Sequence, residues 1–142
     1  MGIQIIDPKE IALREKQRTV VMNTRKLHAW VHYYPNPGDH DELHCHNEDQ
    51  VFTCFEGECT MHFPDGGFAV LKPGMAALIT GGSFYQLENT GEGHMILMGY
   101  RSGSQDTVMH IDYVTRQDLR KTTGPRVRNR VTGVEKPAGE QP

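Results

Sequence analysis

A chain of 142 residues is the size of one domain and long enough to bury a single core. Its 37% hydrophobic and 23% charged residues are ordinary for a globular fold, and a net charge of −3 with histidine neutral disfavours nucleic acid as a partner. No apolar run approaches the roughly 18 residues of a membrane span, and MGIQIIDPKE at the start lacks the basic-then-apolar order of a signal peptide. Three cysteines (Cys45, Cys54 and Cys59) form a poor disulfide framework. The expectation is a soluble cytoplasmic protein with free, buried thiols.

In chain order, 7-DPKE-10 comes first: an aspartate before a proline, with glutamate three residues on, predicts the capped start of a short helix. Eight stretches rich in β-branched and aromatic residues follow: 19–23, 27–34, 50–57, 58–63, 68–71, 76–80, 84–89 and 94–101. Turn sequences separate them, among them 35-PNPGD-39, 64-PDGG-67, 72-KPG-74 and 90-TGEG-93. Eight short strands this closely spaced predict an all-β sandwich or small barrel of the jelly-roll kind. Beyond them, 115-TRQDLRK-121 reads as a helical turn capped by Thr115. The polar tail from Pro125, with Arg126, Arg128 and Arg130 alternating, reads as disordered or as a strand laid on a partner subunit. The chain divides into an N-terminal extension (1–26), a barrel (27–101) and a partly irregular C-terminal extension (102–142).

The chemistry concentrates in 44-HCHNEDQ-50. In a strand His44 and His46 share a face about 7 Å apart, and both imidazoles can reach one ion at ~2.1 Å. Gln50 has the same parity, but a straight strand would carry it about 20 Å from His44. It joins the pair only if the chain reverses, and Asn47, Glu48 and Asp49 are good turn formers. Trp30, His32 and Tyr34 share one strand face, either lining the cavity or facing outward. Phe52 and Cys54 share the parity of Gln50 and point into the same interior. No phosphate-cradling glycine loop, Ser-His-Asp triad or zinc finger is legible.

These residues resemble the cupin family. Its first motif runs glycine, five residues, His-x-His, three or four residues, glutamate, six residues, glycine. Here Gly38, His44, His46, Gln50 and Gly57 fall at those places, with glutamine for glutamate. The second motif aligns without gaps over 70-VLKPGMAALITGGSFYQLENTG-91. Tyr85 stands where the family usually has its third histidine, and Asn89 four residues later.

The resemblance implies a double-stranded β-helix, or jelly-roll cupin barrel, over about residues 27–100, and frequently a homodimer formed through terminal strands. It also implies one divalent or trivalent transition metal held by His44, His46, Gln50 and Tyr85, with Tyr85 and Gln50 as the catalytic groups. Iron is favoured and Mn, Ni, Zn or Co are alternatives. Exchanging glutamate for glutamine removes a charge, which an ionised Tyr85 would restore; a phenol of ordinary pKa about 10 needs a strong cation nearby to ionise. His40 is a second candidate for the place of Tyr85. The expected function is a metal-dependent enzyme acting on a small carbonyl, carboxylate or phenolic compound. Its class is a dioxygenase-like oxidoreductase, alternatively an isomerase, lyase or cyclase. A metal-poor binding module and an assembly role through the tail are the other readings.

Overall fold

The computed structural model describes residues 2–138. Helix α1 (Pro8–Glu15) begins as its sequence predicts: the Asp7 side chain accepts from the Lys9 and Glu10 amides at 3.1 and 3.2 Å. The strands are β1 (Thr19–Asn23), β2 (Leu27–Tyr34), β3 (Asp39–His40), β4 (His44–Cys45), β5 (Gln50–Glu56), β6 (Cys59–His62) and β7 (Phe68–Leu71). After these come β8 (Ala76–Ile79), β9 (Gln86–Asn89), β10 (Met95–Ser102), β11 (Ile111–Asp112), β12 (Arg126–Asn129) and β13 (Glu135–Pro137).

They form a five-stranded sheet in the order β1-β2-β10-β5-β8, a six-stranded sheet in the order β13-β12-β3-β9-β6-β7, and a β11-β4 pair, all antiparallel. One apolar cluster joins the inner faces of the two large sheets. Trp30, Phe52 and Leu97 come from one sheet, and Met61, Leu71 and Leu87 from the other. That is the jelly-roll sandwich expected. Strand alternation sends Trp30, His32 and Tyr34 inward, while Val31 on the opposite face packs under α1 with Ile11, Ala12 and Ile96. The three cysteines are buried and unbridged. Among the described residues no helix is long and apolar enough to cross a membrane.

Two features at the C-terminal end differ from the sequence expectation. The single turn near residue 119 is a 3₁₀ helix (Leu119–Lys121) capped by Asp118, not Thr115, because Arg116 at φ +62° bars a helix from running through it. The arginine-bearing tail is ordered on its own chain. Strand β12 pairs with β3, and the Asn129 side chain donates to Asp39 Oδ1 at 2.7 Å while accepting the Val131 and Thr132 amides at 2.8 Å each. Residues 139–142 of that tail lie outside the described residues.

Candidate metal centre

Strand β4 delivers His44, and its backbone pairs directly with Tyr85. The His44 amide donates to the Tyr85 carbonyl at 3.0 Å and the Tyr85 amide to the His44 carbonyl at 2.9 Å. The pairing sets the phenol beside the imidazole, with Tyr85 OH 3.2 Å from His44 Nε2. His46 follows on the same face. The chain then turns: Asp49 Oδ1 accepts the Gly81 amide at 2.8 Å, and Gln50 enters β5 buried. The side chain of Gln50 is engaged: its Oε1 accepts from Arg101 Nε at 2.9 Å, and its amide opposes, in part, the upward push of burial on the Tyr85 phenol.

The third imidazole is one that the motifs do not contain. His110 lies just ahead of β11, whose pairing with β4 carries it to the site. The donor atoms of His44, His46 and His110 fall within 4.8 Å of one another, and all three residues are buried. The His44 and His110 rings stack at 4.0 Å, 9° from parallel. Asn47 anchors the incoming segment by accepting the Met109 amide at 2.8 Å. His110 is 64 positions beyond His46, so no spacing rule reaches it. The one local clue is its place between apolar Val108, Met109 and Ile111, where a polar ring implies burial with a purpose. His40, the other candidate, points its Nδ1 at the Asp41 carbonyl at 2.9 Å and is outside the cluster.

The imidazoles are prepared as ligands. His44 Nδ1 is 2.6 Å from the Glu42 carbonyl, and His46 Nδ1 is 2.6 Å from the Met109 carbonyl. A carbonyl only accepts, so each Nδ1 carries the proton and each Nε2 keeps its lone pair. His110 Nε2 lies 3.0 Å from Glu42 Oε1, the carboxylate–histidine contact common behind metal ligands. Burial pushes the basicity of His44 and His46 well below the usual imidazole range, helped by His110 at His44 and by Arg101 at His46. Burial also pushes the Tyr85 phenol up, against the opposing pull of Arg101. The donor set therefore fits a first-row transition metal: three buried imidazoles, two of them neutral and aimed by fixed tautomers.

That cavity holds about 30 Å³, room for an ion and roughly a water or two. Arg18 and Arg101 stand over the Trp30 ring at 4.7 and 4.2 Å, giving one wall positive charge. Arg126, Val127 and Ala138 from the tail form part of another wall.

The low basicity of these histidines has a thermodynamic consequence. As pH falls below about 6.5 the unfolded chain takes up protons that the buried rings refuse, so their contribution to stability is complete above that pH and is lost below it. Asp41 and Glu42, pushed up chiefly by burial, act in the opposite direction, so the test isolates one ring. In metal-free melts, the stability difference between wild type and His46→Gln is expected to move against wild type as pH falls below about 6.5. A pH-independent difference would show that His46 is not buried neutral.

Comparison with known proteins agrees with this architecture. The cupin domain family matches residues 31–99, which leaves His110 outside the match. No curated protein matches the sequence. Among solved structures, a conserved protein with a double-stranded β-helix domain from Klebsiella pneumoniae superposes at a TM-score of 0.64 with 20% identity, covering 77% of this chain and 97% of its own. The protein TT1209 from Thermus thermophilus reaches a TM-score of 0.62 with 23% identity, over 71% of this chain and 98% of its own. KdgF from a Halomonas species reaches 0.57 with 21% identity, over 63% and 81%.

Proposed function

Because residues 31–99 of this chain are a cupin domain, we propose that it is a metal-dependent enzyme acting on a small carbonyl, carboxylate or phenolic compound. The observation that carries this is the buried triad of His44, His46 and His110, two of whose tautomers are fixed by backbone carbonyls. A metal held there would supply a Lewis acid for a substrate oxygen and, if it is iron, a place for dioxygen. Iron is favoured on that account.

The chain's own residues divide the remaining work. Imidazoles add no negative charge to a bound ion, and Arg18 and Arg101 on one wall stand against Asp41 and Glu42 beside the histidines, so a bound ion would make an anionic oxygen the favoured group on the substrate. Tyr85, neutral and within hydrogen-bond reach of His44, is the group placed to give or take a proton. Gln50, held by Arg101, is a positioning residue beside them. The neutral phenol also supports a second reading, an isomerase, lyase or cyclase in which proton transfer alone is required. Dioxygen consumption distinguishes the two.

Protein purified without chelators is expected to carry about one first-row transition metal per chain, as a single site of this kind does. After ferric loading it is expected to lack the purple-to-blue colour of an iron–tyrosinate pair, because in this reading the three imidazoles, and not Tyr85, are the ligands. Metal analysis and a visible spectrum check both. Absence of metal, with no gain in stability on adding Fe, Mn, Ni or Zn, overturns the metal reading. A tyrosinate band that Tyr85→Phe removes overturns the neutral role of Tyr85.

A further inference from the structure

Glu42 lies in the loop between β3 and β4 and is 6% exposed, too buried for a surface charge. Its carbonyl accepts from His44 Nδ1 at 2.6 Å. Its Oε1 lies 3.0 Å from His110 Nε2. Both carboxylate oxygens face the Arg126 amide, at 3.3 and 3.2 Å, and Oε2 is 3.8 Å from the Arg128 guanidinium. One residue thus touches two of the three imidazoles and also the strand that walls the cavity. Another carboxylate near the triad, Asp41, is farther away, 3.9 Å from His44 Nδ1, and its Oδ1 accepts the Leu87 amide at 2.8 Å. Gln50, the polar side chain beside Tyr85, is uncharged and held by Arg101.

The geometry points to Glu42 as the positioning residue of the metal centre: its carboxylate aims His110 and, by the same group, ties β12 over the cavity. The inference rests on the triad holding a metal. A carboxylate behind a ligating imidazole fixes the ring and raises its donor strength. Because the same carboxylate accepts the β12 amide, metal binding and docking of β12 strengthen each other, and by linkage the effect is reciprocal. The C-terminal extension is then part of the centre twice over, supplying His110 and the strand that shares its carboxylate.

The test uses zinc as the probe on the full chain. Glu42→Gln keeps the shape and one acceptor oxygen and removes the charge. It is expected to weaken zinc binding about 10–100-fold in chelator competition, as loss of such a partner does. In a His110→Ala background the same change is expected to add nothing, because Glu42 acts through that ring. Zinc is expected to slow trypsin cleavage at Arg126, Arg128 and Arg130 in wild type, and Glu42→Gln to lose most of that protection. Should Glu42→Gln not fold, Glu42→Asp retains the charge but retracts it, and is expected to weaken zinc several-fold.

A dissociation constant within about twofold of wild type for the folded variant, against the 10–100-fold expectation, overturns the inference. So does full additivity with His110→Ala, or zinc without effect on cleavage in wild type. If wild type binds no metal at all, the metal reading falls too. Wild-type binding with an indifferent Glu42→Gln removes only the role given to Glu42.

Discussion

His110→Ala is expected to weaken metal binding enough to lower the metal content of the purified protein. Loss of a residue behind a ligand costs about 10–100-fold in affinity, so loss of a ligand itself should cost ~100-fold or more. Deleting this ring leaves two imidazoles of the cluster, His44 and His46, with Gln50 already engaged by Arg101. It also leaves Glu42 buried beside a vacated space, with one polar contact fewer. The control is His40→Ala. His40 precedes His44 by four residues and is the nearer histidine in sequence, but its ring is turned to the Asp41 carbonyl. That variant should retain wild-type metal content. Metal analysis and zinc competition on both variants decide the matter. Full metal content in His110→Ala would return the third position to Tyr85 or Gln50.

The contrast between His110 and His40 shows what sequence can and cannot specify about such a site. His44 and His46 were legible because a strand's two-residue period places them on one face whatever surrounds them. Gln50 was legible as a returning group because Asn47, Glu48 and Asp49 form a turn locally. His110 obeys no local period. It arrives through pairing of β11 with β4 and through the Asn47–Met109 bond, both set by tertiary contact over some 60 residues. The same reason hid the engagement of Gln50, whose partner Arg101 is 51 positions away. The pattern of β-branched and aromatic residues marks most long strands to within a residue or two, whereas β3, β4 and β11 are two residues each, too short to carry a pattern. The tail misled for a different reason. Alternating arginines look like a solvated segment, but the strand is held by Asn129 and by the free edge of β3, neither visible in its composition.

Trp30→Ala is expected to lower stability by about 3–5 kcal/mol, the usual cost of emptying a large aromatic site. At this chain length that is a fall in Tm of roughly 10–20 °C. The indole is 1% exposed and meets Phe52 edge-on at 5.5 Å. It lies over Gly99, its register partner on β10, so closely that a Cβ there would sit 2.2 Å from the ring. Gly99 is therefore the slot for the indole, and its backbone is not at positive φ; glycine is required by contact rather than by conformation. Gly99→Ala should cost about 3 kcal/mol, the upper end for overpacking, because a rigid ring cannot yield as a flexible side chain would. The two changes should not add. Once Trp30 is alanine the clash at Gly99 is gone, and the double variant is expected to melt close to Trp30→Ala alone. Additive losses would mean that Gly99 serves the sheet and not the ring. The site should register the same changes: Arg101 rests on Trp30 at 4.2 Å and holds Gln50 at 2.9 Å, so a displaced indole loosens the surroundings of Tyr85.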